Sequence, residues 1–413
     1  MLFTTTQEEL AFAVKALDRK ITRGKKGEPN IGALYVFKDN NYVLMVANGI
    51  VNMQLYLDPS QTQVLDASDA GLEVVCFDLK KLGEFIKAVP KESVVEVSND
   101  APFMVDFQPV FKSAPNNGRP PKVSVTLSGK DLMAGIKKCV PFADLKKQHP
   151  QYFLECLQFR VKESSTTILG CDGFHLAEYT VDNVNGEQTA QSDGALQIPA
   201  SIMDDFRKIF TAKTMPKNVL LKDRGTDIAV YADHRLAMFV PVKVDKKGKP
   251  VEKLMDDKNS FDNNKCDTPA LATVRLTLDA LKKELENSLV AFKKAHKENP
   301  EKFQAPAIRI SVNADGSVDF ESLSRTNNMC ACTTIPYIGE LHDGATKASV
   351  ALNPLFMLDA LSGVENEIVE LQIWQEKNPV LLCDYEHSFR TLILPIMVFG
   401  GDRRGERKSR KSA

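Results

Sequence analysis

The chain is poor in the features that most directly announce chemistry. Its 413 residues hold one tryptophan and six histidines, at 149, 175, 234, 296, 342 and 387. No two of these stand at H-E-x-x-H spacing, which removes the helical zinc-protease arrangement. The eight cysteines (76, 139, 156, 171, 266, 330, 332, 383) include no C-x-x-C. Cys330 and Cys332 share one face of a strand-like run, with no second pair to complete a metal site. The cysteines therefore read as reduced, mostly buried small hydrophobes. There is no G-x-x-x-x-G-K-[ST] loop, no G-x-G-x-x-G after a strand and no G-x-S-x-G elbow, so nucleotide-loop, dinucleotide and hydrolase chemistry have no foothold. No apolar run approaches the roughly 20 residues that a membrane helix needs. The start, MLFTTTQEEL, lacks the basic and apolar regions of a secretory leader, so a cytoplasmic protein without a membrane is expected. Carboxylates are plentiful but sit in charged runs such as MDDF and LMDDK, which suits a solvated face. No catalytic residue, metal or cofactor is expected.

What is present is ordinary soluble composition, with 43% hydrophobic and 26% charged residues, on a chain long enough for two to four domains. The net charge of −1 conceals an asymmetry. The last fifteen residues, FGGDRRGERKSRKSA, hold six Lys/Arg and two Asp/Glu, a net of +4, which leaves −5 for the rest. Such a tail reads as a disordered basic terminus, as a nonspecific nucleic-acid contact, or as both.

The chain repeats itself. Three segments each read as a strand followed by an amphipathic helix: LFTTTQEELAFAVKAL, KVSVTLSGKDLMAGIKKCV and ATVRLTLDALKKELENSLV. Anchored on Leu10, Leu132 and Leu281, each has an apolar strand residue seven earlier (Phe3, Val125, Val274) and an apolar helix residue four later (Val14, Ile136, Leu285). Thr6, Ser128 and Thr277 stand where their hydroxyls can cap helix starts. A second strand–helix unit recurs as VVCFDLKKLGEFIKAVP, ALQIPASIMDDFRKIF and ASVALNPLFMLDALSG, anchored on Phe77, Ile198 and Leu352. The anchor gaps are 77−10=67, 198−132=66 and 352−281=71. From copy to copy the first anchors advance by 132−10=122 and 281−132=149 residues, a period too long for a solenoid, so three whole domains of one α+β fold are expected, at 1–122, 123–250 and 270–398, with a basic tail at 399–413. FKSAPNNGRPPK (111–122) and the polar run 244–269 read as linkers. Period-two alternation between the helices points to antiparallel strands.

At matching points of the repeats lie VANGIVNMQL, GCDGFHLAEY and LSRTNNMCAC. Asn48-Gly49 and Asp172-Gly173 are hairpin dipeptides, because these residues tolerate positive φ. Only the middle copy carries a histidine, so any special function belongs to it. A Cys171–His175 nucleophile is disfavoured, since the two stand four apart across a tight turn.

Five of the six expected helices carry basic residues: Lys15 and Arg19; Lys80; Lys137 and Lys138; Arg207 and Lys208; Lys282 and Lys283. Lysine is a common helix-surface residue, and equally the faces could jointly line a surface for phosphates. Charge alone leaves both open.

These residues lead to a resemblance. GCDGFHLAEY is similar to a T-D-G-H-R-L-A segment of the bacterial DNA polymerase III beta subunit, the DNA sliding clamp. LNPLFMLDAL resembles its F-N-x-x-Y-L-x-D-x-L, LILPIMV its closing Y-x-x-M-P-M-R-L, and HPQYFLECLQF its R-Y-Y-L-x-G-x-x-F. The match runs over about residues 1–398, in order, within the triplicate frame. It implies three tandem clamp domains, each with two helices packed on antiparallel sheets, closing as a head-to-tail homodimer into a ring around duplex DNA. Encirclement would retain the DNA topologically, so the basic helices would need only loose contact with the backbone. The implied partners are double-stranded DNA, a polymerase catalytic subunit and a clamp loader.

The resemblance also carries over a partner-peptide pocket: Leu154, Cys171, Gly173, Phe174, His175 and Leu176 on one side, and Phe303, Asn353, Phe356, Val380, Leu382, Pro395, Ile396 and Met397 on the other. Tyr152, Phe153, Arg23, Lys25 and Lys26 match duplex-touching positions. Phe174-His175 stands where the family has His-Arg, and Ile396-Met397 where it has Met-Arg, so a more apolar pocket with a different peptide preference is expected. The alternative is a clamp-fold monomer that binds or regulates without closing a ring.

Overall fold

A computed structural model describes residues 2–23, 30–37, 41–65, 72–106, 123–184, 194–243, 269–324, 327–384 and 388–398. Linker 111–122, all but the last residue of the run 244–269, the tail 399–413, and Lys25 and Lys26 lie outside them.

Among the described residues six α-helices each follow a strand. Phe3–Thr6 leads into α1 (Gln7–Leu17), Leu72–Asp78 into α2 (Leu79–Ala88) and Ser124–Ser128 into α3 (Gly129–Cys139). Gly194–Pro199 leads into α4 (Ala200–Arg207), Ala272–Thr277 into α5 (Leu278–Glu298) and Lys347–Leu352 into α6 (Pro354–Leu361). The three hydroxyls cap as expected. Thr6 accepts the Glu9 N–H at 3.2 Å, Ser128 that of Asp131 at 3.4 Å and Thr277 that of Ala280 at 3.4 Å. Asp78 and Asn353 do the same for α2 and α6, whereas α4 starts after Pro199 with no side-chain cap. The sequence anchors Leu10, Leu132, Leu281, Phe77, Ile198 and Leu352 are all buried, each contributing about 1.5–3 kcal/mol of burial free energy.

The chain divides into two compact units. Unit 1 takes Met1–Ile136, Gln158–Thr167 and Val181–Lys253; unit 2 takes Lys137–Leu157, Ile168–Thr180 and Leu254–Ala413. Unit 1 is built on a nine-stranded antiparallel sheet in the order Met104–Val105, Leu72–Asp78, Ile31–Phe37, Tyr42–Asn48, Asn52–Tyr56, Leu236–Pro241, Asp227–Ala232, Asn218–Asp223, Ser124–Ser128. A smaller sheet sets Phe3–Thr6 between Thr62–Val64 and Val94–Val97. In unit 2 His175–Asp182, Phe389–Ile393, Val380–Asp384, Ile368–Ile373, Ala272–Thr277 and Ile338–Leu341 are, in that order, consecutive strands of a larger sheet. Met329–Pro336, Ser317–Ser324, Pro306–Asn313 and Lys347–Leu352 form another.

One junction is made twice. In unit 1 the strand leaving the first hairpin pairs with a strand of the second copy, Leu55 opposite Leu236. In unit 2 the strand leaving the second hairpin pairs with a strand of the third, His175 opposite Ile393 and Tyr179 opposite Phe389. The corresponding strand of the third copy, Met329–Pro336, is the last in its sheet and is mostly exposed, with Met329 57% accessible.

The two hairpin glycines serve different physical needs. Gly173 has φ +91°, the left-handed conformation expected of the dipeptide. Gly49 is needed for space instead: a Cβ there would stand 2.3 Å from the Thr22 carbonyl carbon and 2.6 Å from the Arg23 oxygen. Seven cysteines are free among the described residues; Cys76, Cys139, Cys156 and Cys383 are buried, but Cys332 is exposed and Cys330 only half-buried. No described helix is long and apolar enough to cross a membrane.

Candidate partner-binding groove and basic helices

The middle hairpin is organised by one carboxylate. Asp172 Oδ1 accepts the N–H of Phe174 at 2.8 Å, the N–H of His175 at 3.0 Å and bonds His175 Nδ1 at 2.8 Å. His175 Nδ1 is thus taken by Asp172 and not by Cys171. The Cys171 sulfur instead accepts the Gly173 N–H at 3.3 Å, and burial pushes its thiol up to about 11, away from the thiolate a nucleophile needs.

His175 is the centre of an aromatic stack in unit 2. Its side chain is 2% accessible. The Phe142 ring lies on it at 4.5 Å and the Phe356 ring, from α6, at 4.5 Å and 25°. Phe356 stacks in turn against Phe174 at 6.0 Å and 22°, and His149 stands 5.6 Å from Phe174. Phe174 itself is 47% accessible, so the stack grades from buried imidazole to open phenyl. Beyond it runs the terminal segment. Leu394 donates its N–H to the Phe174 carbonyl at 3.0 Å, and Ile396 donates to Ala351 at 2.8 Å. Leu355, Leu394 and Met397 are all exposed apolar residues.

The expected pocket residues divide by depth. Leu154, Leu176, Val380 and Leu382 are buried. Cys171 packs with Phe153 against a core of Leu169, Leu176, Trp374, Leu381 and Leu392. Gly173 and Met397 are exposed, while Phe356, Pro395 and Ile396 are half-buried. Asn353 is occupied as the α6 cap, accepting the Leu355 N–H at 3.0 Å. Phe303 is half-buried after the end of α5, with its ring near the Lys302 ammonium at 5.7 Å and its N–H donated to Asn299 at 3.2 Å. Four residues beside the His175 stack and the terminal segment were not among the expected pocket residues. Phe142 lies in no quoted segment, Leu355 and Leu394 fall within LNPLFMLDAL and LILPIMV without having been assigned to the pocket, and Asp359, at the D of F-N-x-x-Y-L-x-D-x-L, is one acidic residue on an otherwise uncharged helix.

The electrostatics of the stack are self-consistent. Burial opposes the charged form of His175, but Asp172 and then Asp359 outweigh it and hold the imidazole above its ordinary value. Burial likewise opposes ionisation of Asp172, and its bonds to His175 and to the backbone N–H groups hold its carboxyl below the usual range. His175 Nε2 is 3.9 Å from Asp359, an ion-pair distance too long for a hydrogen bond, and it has no hydrogen-bond partner.

The basic helix residues are placed unevenly. In unit 1 Arg19 pairs with Asp205 at 3.2 Å, Arg23 with Asp18 at 3.1 Å, and Arg207 with Asp204 at 2.8 Å; Lys208 also pairs with Asp204. Lys15 is held below its ordinary value by burial and by the nearby Arg19 charge, so the end of α1 gathers like charge. Lys80 and Lys137 are exposed. Lys138 departs from the expectation of a presented charge. It is buried, its ammonium 4.5 Å from the Tyr179 ring and 5.6 Å from that of Phe389, with Glu365 at 3.6 Å. Tyr152 is half-buried, and Phe153 belongs to the core just described. Unit 1 also has two open concavities, of about 500 and 640 Å³, one beside the Arg235–Glu9 pair and one on the aromatic sheet face of Tyr56, Tyr231 and Phe239. None of their lining residues is among the expected pocket residues. No metal-competent cluster of His, Cys, Asp and Glu occurs among the described residues.

No protein-family model matches the sequence, and a search of curated proteins finds no match. Solved structures do match. The DNA polymerase III beta subunit of Thermotoga maritima superposes with a TM-score of 0.73 at 14% identity, over 96% of this chain and 99% of its own. The beta subunit from the DNA polymerase of Streptococcus pyogenes gives 0.74 at 12% identity, over 96% and 100%. The DNA polymerase sliding clamp of Bacillus subtilis gives 0.71 at 13%, over 96% and 99%. The helices and large antiparallel sheets described above therefore form, over nearly the whole chain, the fold of the bacterial DNA polymerase III beta subunits, the sliding clamps.

Proposed function

We propose that this protein is a DNA sliding clamp, a non-catalytic processivity factor that encircles duplex DNA and tethers a polymerase and other partners, among them a clamp loader, through the groove on unit 2. The observation that carries this reading is a match over almost the full length of both chains to sliding clamps, with the six strand–helix units in the spacing the sequence repeats. Three domains at 1–122, 123–250 and 270–398 follow from that spacing.

The ring is supported by the twice-made junction. The first hairpin strand pairs with the second copy and the second with the third, and Met329–Pro336 is left as an exposed edge. An unpaired edge strand is a template for another chain. If the same junction forms between molecules, each third domain meets a first domain of a partner, and two chains close head to tail. Inside such a ring the exposed Lys80 and Lys137, with the Lys15, Arg19, Arg207 and Lys208 cluster, would hold phosphates loosely and without base readout. Lys138, buried, has no part in that set.

At the groove, an extended peptide would lay one or two apolar side chains against Phe174, Phe356, Leu394 and Met397. At about 1.5–3 kcal/mol per anchor, such contacts give modest, exchangeable affinity, which suits a hub. Light scattering tests the ring. The expected mass is twice 45.8 kDa, falling to one chain on substituting proline at Ala331 and Thr333 in the edge strand. A monomer at micromolar concentration in the unsubstituted protein would favour the non-ring alternative.

A further inference from the structure

The groove's aromatic wall is held by a group on α6 that no apolar-pocket argument requires. His175 is clamped at Nδ1 by Asp172 and faced at Nε2 by Asp359, and it lies between the Phe142 and Phe356 rings. Its Nε2 is buried and without a hydrogen-bond partner. We propose that Asp359, acting through the His175 imidazole, is the positioning residue that keeps Phe356 against Phe174, so that the partner groove is assembled when His175 is protonated and loosens when it is neutral. The proposal rests on the groove being the partner site.

The physical chain is short. A protonated imidazole carries N–H groups at both nitrogens, one donated to Asp172 and the other directed at the Asp359 carboxylate across an ion-pair distance, and places its cation against two phenyl rings. That ties the hairpin, through Asp172, to α6, through Asp359 and Phe356. A neutral imidazole keeps its Nδ1–H on Asp172, and then its Nε2 lone pair faces the Asp359 carboxylate. Attraction between hairpin and helix becomes repulsion, and the cation leaves the rings.

Other charged and titratable groups stand farther from the imidazole. On the hairpin, Cys171 is neutral; on the segment after α3, Asp144 accepts the His149 N–H at 2.8 Å and His149 abuts Phe174. On the sheet strands Glu178 is paired with Arg390, and Lys138, at the end of α3, is caged over Tyr179 and Phe389. Among the described residues, Asp172 and Asp359 are the carboxylates within 4 Å of the ring nitrogens. The sign follows: the imidazole is held above its ordinary 6.5, so the tie is complete below that value and is lost as pH rises through the higher one.

The test uses the full chain with 4-fluorophenylalanine at position 356, followed by ¹⁹F NMR, alongside the His175 ring signals, from pH 5 to 9. The Phe356 signal is expected to move with the His175 midpoint, above 6.5. Asp359→Asn should lower that midpoint and shift the ring signal toward its high-pH position at pH 6. Asp359 is about half exposed, so this variant should fold even if His175→Gln does not. A Phe356 signal that stays flat while His175 titrates would overturn the proposal, as would a midpoint unmoved by Asp359→Asn. On the same samples, a fluorescein-labelled pentapeptide with leucine and phenylalanine anchors should bind about fivefold or more weakly at pH 9 than at pH 6. Should the ring move with His175 while the peptide binds nowhere, the positioning role of Asp359 stands and the partner-site assignment falls.

Discussion

Asp172→Ala is the substitution that most directly probes how the middle hairpin is built. One carboxylate oxygen satisfies two backbone N–H groups and the His175 ring. The Phe174 N–H belongs to an exposed residue and can turn to water, so its loss costs little. The His175 ring cannot, because it is buried between Phe142 and Phe356. Losing a charge-assisted bond and leaving a buried imidazolium with one distant carboxylate should cost about 2–4 kcal/mol of unit 2 stability. Asp172→Asn keeps a neutral acceptor for the backbone and should cost about half as much. The assay is urea unfolding followed by tryptophan fluorescence. The single tryptophan, Trp374, is 4% accessible and packs on Leu176, so it reports this unit. The pH dependence has a fixed sign. The Asp172 carboxyl is depressed, so its contribution is present above 3.8 and lost as pH falls through its lower folded value. The His175 contribution is present below 6.5 and lost as pH rises through its higher one. The variant should differ most from the parent between those limits and least near pH 9. A loss below about 0.5 kcal/mol at pH 6, or one that grows as pH rises from 6.5 to 9, would refute the network.

Other outcomes follow from the same geometry. Gly49→Ala would drive a methyl group into the Thr22 carbonyl and should cost more than Gly173→Ala. At position 173 the nearest atom is 3.8 Å away, so only the left-handed backbone opposes a side chain, at about 1–2 kcal/mol; thermal unfolding of the two variants ranks them. Lys138→Ala removes a buried ammonium from its Tyr179–Phe389 cage and should lower stability while leaving salt-dependent DNA retention nearly unchanged. Lys137→Ala, on the exposed side, should do the reverse, with a shallower salt dependence of retention.

How much of this was legible in the sequence depends on what kind of signal each residue carries. The strand–helix units announced themselves through periodic apolar anchors and cap hydroxyls, and Thr6, Ser128 and Thr277 cap as read, because both are local properties of the backbone. Gly49 was read as a turn residue with free φ, yet its role is to let the 22–23 backbone approach. Steric crowding from a distant segment leaves no mark in a dipeptide. Lys138 was grouped with Lys137 by adjacency, but neighbours on a helix point about 100° apart, and one turned into an aromatic cage. Phe174 and His175 were flagged by departing from the family pattern; Asp359 and Leu394 lay in quoted segments, but their place beside His175 and Phe174, like that of Phe142, is set by tertiary packing.

Topological retention on DNA tests the clamp assignment most directly. Protein assembled on a nicked circular plasmid should stay bound through gel filtration at a salt concentration that strips ordinary phosphate contacts, and should be released when a single cut linearises the circle, because the ring then slides off the ends. Equal retention on circular and linear DNA, or release from both at the same salt concentration, would contradict encirclement.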